Sequence, residues 1–359
     1  MKKRTSIYDR ISERRLAAQE AQRLADAAFP RGDFASNCVS IAQAWVWLPC
    51  GAYDAPLPVS ELAGKRIDFS HDPRLLDARA MRRPIRRLAT PAEGLPAVEV
   101  LARCSEILQG AMKKWAPALR ESIDWSNTQV VLFAPGAVDA MDWIERVVNL
   151  WPRELMPLRG FDLQTQAPAQ WLPEVLGHTA GPQYLLCLSL DTWVCKEQAP
   201  CHAADEIAGE AVSAVLLRRQ PKLADPRTDS ALKLFAPIQL DHPARTAQAR
   251  TDTQTLERLM AELCELTTID PARVSVLIAE GALDGNRLSQ LSEYARNSLP
   301  GLNFEQQVRL DTMGGRFGPV TEQWVQIGLA WLIASAEPGC AVWVLERRLS
   351  DQTRGWLIG

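Results

Sequence analysis

The chain has 359 residues, more than one compact core usually needs, so two packed halves or one large α/β unit is expected. Hydrophobic residues at 47% and charged residues at 23% exclude a largely disordered chain, and a formal charge of −3 removes the electrostatic case for nucleic-acid binding. Apolar runs such as Val130–Ala134 and Tyr184–Leu190 fall far short of the roughly 20 residues of a membrane span, so none is expected. Met1 to Arg10 lead into neither an apolar core nor a small-residue cleavage site, which points to the cytoplasm. The eight cysteines, scattered mostly in apolar patterns, then read as small buried hydrophobes rather than a disulfide framework.

Tyr8 to Phe29 carry a helical pattern stopped at Pro30-Arg31-Gly32, an appendage before the first strand at Val39–Leu48. Asp68 to Leu88 read as an irregular crossing dense in arginine. A long amphipathic helix follows over Pro96–Leu119, then a strand at Thr128–Ala134 closed by Pro135-Gly136 and a helix to about Trp151. Gly160–Thr165 is a short strand, Pro168–Leu176 a helix, and Tyr184–Leu190 and Ala211–Arg218 are strands flanking a polar loop from Thr192 to Glu206.

The second half repeats the theme. Strands are expected at Ala231–Leu240, Val274–Ile278 and near Phe304–Leu310, with helices at Thr253–Thr267, Asn286–Ser298 and Val320–Ala336, and closing strands at Ala341–Arg348 and Arg354–Ile358. Each half alternates strand and helix and ends on a hairpin, which implies an internal duplication and two mainly parallel sheets with helices between them. The domains expected are a helical extension over 1–35, a first half over 36–225 and a second over 226–359.

Three short stretches carry a resemblance. They are Asp72-Pro73-Arg74 with Met81-Arg82-Arg83, then Gly209-Glu210-Ala211 leading into a strand, then Met313-Gly314-Gly315-Arg316-Phe317-Gly318 before an apolar helix and Pro338-Gly339-Cys340 before the closing hairpin. In this order over Val39 to Ile358 the chain resembles the thiolase-like superfamily, specifically its ketoacyl-synthase branch. The resemblance implies a layered αβαβα fold and, between copies, a homodimer through the thiolase-type interface. The glycine of Gly209-Glu210 is expected where the two halves approach closely.

Condensing enzymes of that family need a thiolate at a helix N-terminus and two further groups, usually histidines. Gly160 to Trp171, where the nucleophile would fall, contains no cysteine. The positions of the two histidines fall in Ala279–Asn286 and Gly314–Gly318, where Glu280, Asp284, Arg316 and Phe317 stand among other residues but no histidine. A pseudoenzyme is expected, its cleft closed by side chains such as Phe317 and Trp171. His71, His178, His202 and His242 lie elsewhere, and Cys195, Cys201 and His202 have the wrong spacing for a zinc site. Neither GxGxxG nor GKS/GKT occurs, so no cofactor is expected.

Function is therefore sought on the surface. Most of the twelve tryptophans fall in apolar elements, whereas Trp115, Trp125 and Trp193 occur in more polar surroundings and suit a partner surface, as do Arg82, Arg83, Arg86 and Arg87. Degenerate thiolase-like proteins of this size resemble accessory proteins of bacterial type VI secretion, which implies an adaptor or chaperone that binds an effector or a spike protein. The alternatives are an inactive partner subunit of a ketosynthase, like a chain-length factor, or an enzyme that reuses the cleft with Asp162, Glu280, Asp284 or Asp311.

Overall fold

A computed structural model describes residues 37–91, 94–178, 180–201, 206–220, 231–242, 253–279, 285–303, 307–347, 349 and 351–359. The helix expected over Tyr8–Phe29 lies outside these residues, as do His202, Glu280 and Asp284.

The first sheet holds β1 (Cys38–Leu48), β2 (Gly51–Tyr53), β5 (Thr128–Phe133), β6 (Phe161–Gln164), β7 (Tyr184–Thr192), β8 (Glu210–Arg218) and β9 (Lys233–Phe235). Its order is β6-β5-β7-β8-β1, with β2 and β9 sharing the far side of β1. The second sheet runs β12-β11-β13-β14-β10, built from β10 (Ile238–Asp241), β11 (Val274–Ala279), β12 (Val308–Arg309), β13 (Ala341–Glu346) and β14 (Gln352–Ile358).

Numbered within its half, each sheet therefore has the order third, second, fourth, fifth, first. The directions match as well. β5 is parallel to β6 and β7 while β8 is antiparallel to both neighbours, and β11, β12, β13 and β14 repeat that pattern with β10. The duplication inferred from element order is thus a duplication of topology.

Five layers result. Helices α1 (Val100–Ser122) and α2 (Ala140–Leu150) cover the outer face of the first sheet, and α4 (Gln254–Thr267) and α5 (Gly285–Ser298) that of the second. Between the sheets lie α3 (Pro168–Gly177) and α7 (Pro319–Ala336), while the single-turn α6 (Leu310–Met313) leads into the loop before α7. Strand residues alternate between layers as the pleat requires: Val342 and Val344 face the central core, Trp343 and Leu345 the outer one. Both faces being covered, these strands read as nearly continuous apolar runs. α7 is buried around almost its whole circumference, from Thr321 to Ala334 apart from Trp331, because it touches both sheets.

Both sheets are mixed rather than mainly parallel, because each half closes on an antiparallel hairpin that also pairs antiparallel with its first strand, and two segments differ from the sequence reading as well. The arginine-dense crossing is an antiparallel hairpin of β3 (Ser70–Leu76) and β4 (Arg82–Ile85), its turn fixed by Asp77, whose carboxylate accepts the N–H groups of Arg79 and Met81, both at 2.8 Å. Pro73 and Pro84 and the charge of the segment hide its strands from a periodicity argument. The single strand expected over Ala231–Leu240 is two, broken at Ala236-Pro237, where proline has no N–H to continue a ladder. β9 stays with the first sheet and β10 joins the second, so the chain passes between sheets about ten residues beyond the boundary expected at 225/226.

Candidate functional site

The parallel strands β5, β6 and β7 end on one side of the first sheet, and α3 and α7 begin there, which is where ligands bind in open α/β sheets. α3 starts three residues after β6 with Ala167 as an N-cap that offers no side-chain acceptor and Pro168 at its first turn. Its N–H groups need a partner. The one at Ala169 has Gln323, from the first turns of α7, whose Oε1 accepts it at 3.1 Å.

A polar relay then runs outward. Gln323 Nε2 donates to Glu346 Oε2 at 2.9 Å, and Arg354 Nη1 donates to the same oxygen at 2.9 Å. Beneath it, Phe133, Trp171 and Trp324 form a ring cluster with centroids 5.1–5.9 Å apart. Trp171 and Phe317 are both buried, so the expected closing side chains are inside. This helix end is held by an amide.

Beside it lies Asp191, at the end of β7 and almost wholly buried. Its carboxylate accepts the N–H of Thr192 at 2.8 Å, with Gly136 and Gly318 as further backbone donors. Burial outweighs those donors and pushes it up to about 6. Gly318, the N-cap of α7, is glycine for a steric reason: a Cβ there would stand 1.9 Å from Asp191 Oδ2.

The two halves are stitched at the other resemblance motifs. The Gly209 N–H donates to the Arg316 carbonyl and the Arg316 N–H to the Ile207 carbonyl, and a Cβ on Gly209 would lie 2.0 Å from the Gly314 carbonyl oxygen. Gly315 has φ +78° and would drive a Cβ to 2.8 Å from the Ile207 oxygen. Glu210 is buried opposite Arg103 of α1, Nη2 to Oε2 at 2.7 Å, and also accepts Thr192 Oγ1 and the Leu88 N–H. The close approach expected at Gly209 is present.

Two of the strand and loop cysteines, Cys187 and Cys195, are sealed inside. Cys187 sits in the middle of β7, fully buried, and burial raises it well above the ordinary thiol value. Cys195 is buried too, pushed up to about 12 by burial, with its thiol on the Thr192 carbonyl. Among the described residues no group of three His, Cys, Asp or Glu side chains could hold a metal ion. Nor is any helix of them long and apolar enough to cross a membrane. Of the acids considered for a reused cleft, Asp162 accepts Gln164 Nε2 at 2.8 Å on the rim strand β6, and Asp311 pairs with Arg309 at 2.8 Å in the other half.

The expected partner residues are mostly elsewhere than on the surface. Trp115 is wholly buried under α1, because the polar neighbours in its sequence occupy the outer side of the helix while its own side points at the sheet. Trp125 is half-buried, edge-on to Trp151 at 6.2 Å, and Trp193 is half-buried under the Arg316 guanidinium at 5.2 Å. Arg83 pairs with Asp77 at 3.5 Å, and Arg87 with Asp72 at 2.8 Å. Arg86 donates to the Ile67 and Asp311 carbonyls, fastening the first half to the second. Only Arg82 of this set is exposed. Of the arginine run, Arg83 and Arg86 are buried, Arg74 and Arg87 half-buried, and Arg79 and Arg82 exposed.

The sequence reading missed Gln323, Glu346, Arg354, Asp191 and Arg103. Gln323 carries a signal: a polar residue in an otherwise apolar helix announces a buried partner.

No family model matches the chain, and no curated protein matches it. Solved structures do. A type II polyketide ketosynthase in complex with its acyl-carrier protein aligns over 90% of this chain and 99% of its own, at TM-score 0.55 and 11% identity. The ketosynthase of module 6 of the Bacillus subtilis bacillaene synthase aligns over 90% and 70%, at TM-score 0.54 and 13% identity. A keto synthase–chain length factor, PfaC, aligns over 92% of this chain and 43% of its own, at TM-score 0.53 and 9% identity.

Proposed function

For a chain with the thiolase-like fold of the ketosynthases, we propose a non-catalytic role: a scaffold that acts by binding another protein. The observation that carries this is Gln323. Its amide oxygen occupies the α3 donor where a condensing enzyme needs its thiolate, and three aromatic rings fill the space behind it. Acyl transfer needs a nucleophile that can be reached and ionised, and Cys187 and Cys195 are neither.

The finer reading is an adaptor or chaperone that loads an effector onto the spike of a type VI secretion system. Its support is the resemblance of a Trp-rich and Arg-rich degenerate scaffold of this size to such accessory proteins. The test is affinity purification of the full chain from its native cells with stoichiometry by mass spectrometry. A stoichiometric effector or spike protein is expected, and recovery of no stoichiometric partner overturns the reading. Intact-mass analysis after incubation with an acyl thioester is expected to show no acyl adduct.

A second reading, an inactive partner subunit of a ketosynthase, is favoured by the similarity to the PfaC keto synthase–chain length factor and by the position of β6 at the rim of the first sheet. The same rim would serve a homodimer. Co-purification with an intact ketosynthase supports the subunit reading, and a partner of any other kind refutes it.

A further inference from the structure

We propose that the outer face of the β3–β4 hairpin docks an acidic, amphipathic segment of a partner protein; this rests on the protein-binding reading above and gives it a surface. The hairpin's inner face is already committed. Leu75 and Ile85 pack with Val98, Val194 and Ala208. Asp72 is clamped by Arg74 at 2.6 Å and Arg87 at 2.8 Å, and Asp77 by the turn N–H groups and Arg83. The acids within the hairpin are spent on internal bonds.

What remains outside is apolar and cationic. Leu76 is 42% exposed and Met81 63%, and the guanidiniums of Arg79 and Arg82 are exposed beside them. Leu76 and Arg82 are cross-strand partners, so their side chains share a face. At the other end of β3, Phe69 is 52% exposed and meets His71 edge-on at 5.5 Å. Asp68, which precedes Phe69 in the chain, is an exposed acid.

Large apolar side chains gathered on a protruding turn mark an interaction site, and methionine, arginine and aromatic rings are the residue types enriched at interfaces. Apolar knobs flanked by two guanidiniums fit a partner that offers leucine-like side chains and carboxylates together, because Arg binds carboxylates by paired, charge-assisted bonds. The turn is preorganised by Asp77, with Ala80 at φ 59°, so docking would order little new backbone.

The experiment uses the full chain labelled with 13C-methyl methionine, the Met81 signal assigned by loss in Met81→Leu. The probe is a fifteen-residue peptide of Glu and Leu at amphipathic helical spacing, against the same peptide with Lys for Glu and against phosphatidylglycerol vesicles. The acidic peptide is expected to shift the Met81 signal, and Arg79→Glu/Arg82→Glu to weaken that binding at least tenfold with an unchanged thermal midpoint. An unmoved Met81 signal, equal binding of the Lys peptide, undiminished binding by the double variant, or a response to vesicles alone each overturns the proposal. If a co-purifying partner is retained by the double variant at wild-type stoichiometry, this surface is refuted while the adaptor reading stands.

Discussion

At the scale of single residues, buried polar groups bond segments that lie far apart in the chain. Arg103 and Glu210 are both wholly buried and bonded to one another, to Thr192 and to the Leu88 backbone. Removing Glu210 leaves the buried Arg103 with Glu106, 2.7 Å from Nη1, as its remaining carboxylate and orphans the Leu88 N–H, so Glu210→Ala is expected to cost about 3 kcal/mol in urea unfolding. Asp191 behaves differently. Its folded value, about 6, lies above the ordinary carboxylate value, so its contribution to stability is fully present below about pH 4 and is lost as pH rises through 6. Compared with Asp191→Asn, the wild type should lose roughly 3 kcal/mol across that window; parallel pH–stability curves for the two proteins would refute the assignment.

At the scale of elements, the regular core was legible in the sequence and the polar punctuation was not. β5, β7, β8, β13 and α7 announced themselves by apolar runs, since burial on both sides leaves no ambiguity of face. The β3–β4 hairpin was illegible because its inward side chains include Asp72 and Arg83, charges that pair with Arg74 and Asp77 within the same hairpin and break the apolar alternation that marks a strand. The same blindness made Trp115 look exposed and Gln323 unremarked. Where a glycine carried the argument, the reading succeeded, because backbone approach is set by the absence of one atom. Gly209→Ala should therefore fail to give soluble folded protein, and Gly64→Ala, with open space around its Cβ but φ +72°, should cost only about 1 kcal/mol by thermal unfolding.

Gln323→Ala tests the closed cleft at the same scale. It leaves the Ala169 N–H unsatisfied inside the protein and is expected to cost about 1–3 kcal/mol. A cysteine at the same helix end, Ala169→Cys, should resist iodoacetamide in the native state, since Ala169 is 8% exposed; rapid alkylation would mean that the cleft opens.

For the whole molecule, α7 makes the two halves one folding unit. It lies between both sheets, and the joining segments around Gly209, Gly315 and Arg86 run from half to half. Chemical unfolding followed by near- and far-ultraviolet circular dichroism is expected to show one coincident transition, and two separated transitions would show the halves to be independent.

The passage at Ala236-Pro237 constrains how this molecule can be divided. A cut at residue 225 separates β9 from β1, leaving the first half with a bared strand edge at Cys38–Ser40 and the second with three orphaned residues. Fragments divided that way should aggregate when made separately. They should recover a native fold only when produced together, with Lys233–Phe235 crossing back as a donated strand.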